Sequence, residues 1–127
     1  AVEYALKTLN VSQIIILGHS HCGGIKSGYK LFCGNQISHE SIFVNKWLDI
    51  LKPAYENISK NINRFDEGNN ADLEKESIKF SLNNLTDFPF VKSALNKKEL
   101  VLHGLWHDIG SGALEALDPI SMNFKKI

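Results

Sequence analysis

Gly18-His19-Ser20-His21-Cys22-Gly23-Gly24 is the grouping of reactive side chains from which chemistry can be argued in this 127-residue chain. An imidazole and a thiol three positions apart can reach one metal ion if the turn between them is tight. Zinc takes both donors, at about 2.1 Å for nitrogen and about 2.3 Å for sulfur. The flanking glycines permit the backbone angles and close approach that such a turn needs. Taken alone, His-x-x-Cys is weak, because His19 serves equally as a turn residue and Cys22 as a small buried hydrophobe. A redox role for Cys22 is poorer still: no second cysteine stands in a Cys-x-x-Cys relation, and Cys33 lies eleven residues on. His103 and His107, four apart on a strand, would project from one face. That arrangement is compatible with an extra metal site but reads more simply as structural. His39 and Cys33 receive no role.

The elements around the cluster are those of an α/β unit. Val2, Leu6 and Leu9 share one face of an opening helix, and Asn10 stops it. Gln13 to Leu17 has no alternation, the pattern of a strand buried on both faces of a parallel sheet. Gly18 ends it, so the cluster sits just past a carboxyl strand end, where open α/β sheets place ligands. A short helix follows from Gly23 to Tyr29. Ser41 to Leu51 reads as a helix that Pro53 interrupts, and Ala54 to Phe65 as another. The stretch Arg64 to Asn70 is a loop. Asp72 is expected to cap a long helix with Leu73, Ile78, Leu82 and Leu85 on its apolar face. Phe88-Pro89-Phe90 breaks that helix, and Val91 to Leu95 adds a turn or two. Leu100–Leu102 and Ala113–Leu117 read as short strands, the latter at a sheet edge and potentially antiparallel. The helices near Tyr4 and Trp47 are expected on the faces of the sheet.

Bulk properties narrow the function. Fourteen Lys+Arg balance fourteen Asp+Glu, with Arg64 the sole arginine, so no electrostatic footprint points to nucleic acid or to an anionic membrane. Ile14–Leu17 is far too short to span a bilayer. The lysines of the helices read as solvated faces. Two cysteines are too few for a disulfide framework, and a cytoplasmic location is expected. The opening residues already read as helix, without Met or a capping side chain, which suggests a cut through a longer protein.

In order along the chain, several segments carry a family resemblance. These are Glu3-Tyr4-Ala5, the strand Ile14–Leu17 with Gly18-His19-Ser20-x-Cys22-Gly23-Gly24-Ile25, and Trp47-Leu48. They continue with Glu74-Lys75-Glu76-Ser77, Ser81-Leu82-x-Asn84-Leu85, Phe88-Pro89-Phe90-Val91 and Leu102-His103-Gly104-x-x-x-Asp108-Ile109-x-x-Gly112-x-Leu114. This ordered set resembles the C-terminal portion of β-class carbonic anhydrases of plant type. The resemblance implies a single domain over residues 1–127, a mostly parallel sheet flanked by helices, lacking its N-terminal part. It implies reversible hydration of carbon dioxide to bicarbonate by zinc-bound hydroxide, with His19 and Cys22 as zinc ligands. The Gly23 amide would line the anion or substrate site, and Tyr4 would wall the cleft from a partner subunit of a homodimer or larger homo-oligomer. His21 occupies the variable position and reads as a solvent-facing imidazole or, less simply, a proton relay.

One departure is plain. The family's earlier Cys-x-Asp-Ser-Arg motif, which supplies another zinc thiolate and an Asp–Arg pair, is absent from these residues and is expected upstream of Ala1. The 127 residues alone are therefore expected to bind zinc poorly and to catalyse little. Two other readings stand beside the zinc lyase: a non-catalytic relative binding an anion or partner, and a thiol redox protein using Cys22.

Overall fold

The run Gln13–Leu17 does form a strand, β1, which continues to His19. The computed structural model describes residues 1–33, 42–60 and 70–127. Beside β1 lies β2 (Val101–His107), parallel to it, in register from Gln13↔Val101 to His19↔His107. β3 (Leu114–Leu117) pairs antiparallel with β2, and β4 (Phe124–Lys126) antiparallel with β3. The sheet order is β1-β2-β3-β4. The expected α/β class holds; among the described strands β1–β2 is the parallel pairing, while β2–β3 and β3–β4 are antiparallel, so the mostly parallel sheet expected is mixed here. The edge expected at Ala113–Leu117 belongs instead to β4, a strand too short and lysine-rich to show as an apolar run.

The helices are α1 (Val2–Lys7), α2 (Gly23–Phe32), α3 (Ile42–Leu48), α4 (Lys52–Ser59), α5 (Ala71–Thr86) and α6 (Pro89–Asn96). A 3₁₀ turn, Asp49–Leu51, joins α3 to α4. Pro53 lies in the first turn of α4 and does not interrupt a helix. In that turn a missing N–H costs nothing, and the fixed φ already suits the helix. Asn70, not Asp72, is the N-cap of α5, and its side chain makes no capping bond. Asp72 and Glu74 fall in the first turn, where carboxylates meet the positive end of the helix dipole. The end of the helix expected from Ala54 to Phe65, most of the Arg64–Asn70 loop, and His39 lie outside the described residues.

α5 is the helix that covers the sheet. Its Ile78 is buried where a Cβ on Gly18 of β1 would come within 2.6 Å of Cδ1, and one on Gly104 of β2 within 2.9 Å of Cγ2. The two glycines therefore clear the space that Ile78 fills. Farther along, Ile25 and Tyr29 of α2, Ala54 and Ile58 of α4, and Leu73 of α5 form a buried cluster. α1 packs mainly on α6, and α3 on α2, so the helices of Tyr4 and Trp47 do not make their main packing on the sheet.

β1 is not buried on both faces. Ile14, Ile16 and Gly18 turn toward α5, while Ile15 and Leu17 on the opposite face are 54% and 61% exposed. The apolar run conceals this alternation, because both faces carry apolar residues.

Candidate metal centre

β1 delivers His19 as its last residue, opposite His107 of β2. The His19 ring Nδ1 lies 2.9 Å from the carbonyl oxygen of Ser20. A carbonyl can only accept, so Nδ1 carries the proton and Nε2 of the neutral ring keeps its lone pair for a metal. Ser20 is buried and fixes the turn to β2 and the loop after it. Its N–H donates to the His107 carbonyl at 2.8 Å, and its hydroxyl donates to Asp108 Oδ1 and accepts from the Ile109 N–H, both at 2.9 Å. Bonds from the Ser111 hydroxyl, the Ser20 hydroxyl and the Gly110 amide hold the Asp108 carboxyl below its ordinary range. Asp108 is thus more than a turn residue, since it ties the hairpin to the ligand loop.

The residue that closes the turn is His21, with φ of 57°. Glycine was expected to supply such angles, yet Gly23 and Gly24 do not have positive φ. Gly24 serves close approach instead: a Cβ there would lie 3.0 Å from the Trp47 ring and 3.8 Å from Cys22 Sγ. Cys22 is the N-cap of α2. Its carbonyl accepts from the Lys26 N–H at 3.0 Å, and its N–H donates to Glu74 Oε1 at 3.2 Å.

His19 and Cys22 line one cavity of about 330 Å³, with Leu17, Trp47, Leu51, Glu74 and Ser77 among its walls. A half-buried free thiol and an imidazole nitrogen with a free lone pair form the N/S donor pair that suits zinc. Among the described residues no three or more His, Cys, Asp or Glu gather into a metal-binding group. Two donors are therefore present, and a third is not found among those residues.

Neither of the other expected site residues, Gly23 and Tyr4, lines this cavity. Gly23 opens α2 with nothing within 4 Å of where its Cβ would be. The first N–H groups of a helix have no partner inside it and favour an anion. Tyr4 is 60% exposed on α1 and does not line the cavity. Cys33 stands at the far end of the ten-residue α2, about 15 Å from Cys22. Its sulfur lies 3.5 Å from the Tyr55 hydroxyl, and that hydrogen bond pushes the Tyr55 pKa up. His103 and His107 do share a strand face.

Glu74 was not singled out by residue type, although it is only 3% exposed and reaches the ligand loop. Its place one helical turn before Ile78 puts it on the apolar stripe of α5, a signal that periodicity could have given. Lys75 beside it is not a solvated lysine. Its ammonium bonds Glu115 at 2.7 Å and lies 4.4 Å from the Trp106 ring centroid.

A family model described as carbonic anhydrase matches residues 1–114. The chain is 34% identical over 116 residues to beta carbonic anhydrase 3 of Arabidopsis thaliana, covering 91% of this chain and 45% of that protein. The solved structure of the β-carbonic anhydrase CcaA superposes with a TM-score of 0.89 at 31% identity, covering 99% of this chain and 56% of that one. A β-carbonic anhydrase from Sordaria macrospora, described as tetrameric, superposes with a TM-score of 0.74 at 25% identity, over 91% of this chain and 57% of that one. The chain spans a little under half the length of the curated relatives it matches.

Proposed function

The chain belongs to the β-carbonic anhydrase family, and from that premise we propose that its full-length parent is a zinc-dependent carbonic anhydrase interconverting carbon dioxide and bicarbonate. The observation that carries this is the pairing of His19 and Cys22 on one cavity wall at the β1–α2 turn. His19 Nε2 and the Cys22 thiolate are proposed as two zinc ligands. The Cys-x-Asp-Ser-Arg segment expected upstream would bring a third. The chemistry a bound zinc would supply is acidification of water, from a pKa of about 15.7 toward about 7. The chain's own residues do the rest. The first amides of α2, at Gly23, would receive the developing anion. Leu17, Trp47 and Leu51 give the cavity apolar walls suited to an uncharged gas. Tyr4, exposed on α1, would complete the cleft from a partner subunit.

The proposal includes a homo-oligomer, in keeping with the exposed apolar residues on β1. It places the protein in the cytoplasm, where the free Cys22 and Cys33 thiols would persist.

The test is stopped-flow CO₂ hydration with metal content measured on the same samples. Three proteins are compared: the parent, residues 1–127, and the parent carrying Cys22→Ser. The parent should hold zinc and be active, and the other two should be near background. Stoichiometric zinc with parent-like turnover in residues 1–127 would overturn the ligand count. An inactive, zinc-free parent would move the chain to a non-catalytic relative that binds an anion or partner.

A further inference from the structure

Glu74 is a carboxylate almost wholly out of solvent, with its two oxygens committed to different elements. Oε2 accepts the Trp106 indole N–H of β2 at 3.0 Å, and Oε1 accepts the Cys22 N–H at 3.2 Å. No basic side chain among the described residues pairs with it, since the adjacent Lys75 is engaged by Glu115. Burying a carboxylate without a countercharge is costly. Two N–H donors arriving from opposite sides need an acceptor at each end, and a carboxylate is the side chain that offers both. Glutamine would turn an NH₂ toward one of them.

We propose that Glu74 is a positioning residue for the metal loop: braced by Trp106, it fixes the Cys22 amide and thereby the direction of the Cys22 thiolate. The Cys22 backbone is held on both sides, its carbonyl by the first turn of α2 and its N–H by Glu74. With the backbone pinned, the thiolate keeps only its side-chain torsion. Outer carboxylates of this kind orient metal ligands and tune them, and their loss typically costs about 10- to 100-fold in metal affinity. A cation bound at Cys22 would also supply the positive charge that Glu74 lacks. This inference rests on the reading of Cys22 as a ligand.

The experiment loads the full-length parent with cobalt(II), whose absorption reports thiolate coordination, and measures affinity by chelator competition. Glu74→Gln should shift or weaken the thiolate-to-cobalt band and lower affinity by about 10- to 100-fold. Trp106→Phe, which leaves Oε2 without its donor, should move both readouts the same way by a smaller factor. Ile78→Val, one helical turn along α5 from the carboxylate and outside the lining of the cavity, should cost stability while leaving band and affinity unchanged. Band and affinity in Glu74→Gln within about twofold of wild type would overturn the proposal, because that is below any outer-carboxylate effect. Should Glu74→Gln fail to fold, an unchanged band and affinity in Trp106→Phe overturns it instead. A wild-type parent that takes up no cobalt sinks the zinc reading itself, and the inference with it. A normal wild-type band beside an indifferent Glu74→Gln sinks the inference alone.

Discussion

His21 holds the turn that carries His19 and Cys22 onto one cavity wall, and it does so with a left-handed backbone at φ 57°. Histidine tolerates that region better than most residues, whereas a β-branched side chain there is an outlier. His21→Val in the parent should therefore lower unfolding free energy by about 1–2 kcal/mol, read from denaturant titration, and should loosen the ligand loop. An unchanged midpoint would mean that the turn has another way to close. His19 and Cys22 were legible in the sequence because their relation is local, a spacing of three with a turn between. Glu74, Ser20 and Asp108 were not, because what matters about them is a partner 32, 52 or 88 positions away. Periodicity can place a glutamate on the apolar stripe of a helix, but only the fold brings an amide and an indole to it.

At the scale of elements, the contact between α5 and the sheet turns on two absent side chains. A methyl group on Gly104 would meet Ile78 at 2.9 Å, Leu82 at 3.0 Å and Leu117 at 3.2 Å, leaving no direction of relief. Gly104→Ala should cost about 1–3 kcal/mol, the usual effect of overpacking a filled core. A thermal midpoint equal to wild type would show that α5 can ride outward. The same glycine explains why the sequence shortened β2: Gly104 and the histidines beside it break the apolar pattern of Leu100–Leu102, yet pairing with β1 carries the strand on to His107. The turn from β3 to β4 depends on Asp118. Lys125 and the amides of Ile120 and Ser121 hold its pKa down from 3.8 to about 2. A carboxylate with a depressed folded pKa contributes stability above its unfolded value and loses it as pH falls through the folded one. The amides of Ile120 and Ser121 should therefore lose protection between pH 3.8 and about 2, followed by NMR. Asp118→Asn should abolish that dependence, and a transition near 4.5 would assign it to another group.

Across the whole molecule, the helix-covered face of β1 was anticipated and the open one was not. Composition cannot say whether an apolar strand face meets the same chain, the rest of a longer chain, or another copy. Ile15 and Leu17 stand exposed beside the half-buried Leu105 of β2. Residues 1–127 should accordingly self-associate at tens of micromolar, on the scale that exposed apolar patches produce; sedimentation showing a clean monomer would contradict this and weaken the role given to Tyr4. The latch between Ser20 and Asp108 spans 88 positions, and this sets an order in time. Helices α2 and α5 are local and can form early, but the turn bearing His19 and Cys22 cannot be latched until β2, which follows α6 in the chain, has docked on β1. Closing so long a segment is entropically unfavourable and slow relative to helix formation. In refolding of the parent, competence to take up cobalt should lag the helical signal. It should rise together with the burial of Trp106, followed by fluorescence in a background where every other tryptophan, Trp47 included, is replaced by Phe. Metal uptake in the first helical phase would show a ligand turn that assembles on its own. The lag would leave newly made chains unable to hold metal until β2 has docked on β1, so that a bound ion certifies that this distant pairing has been made.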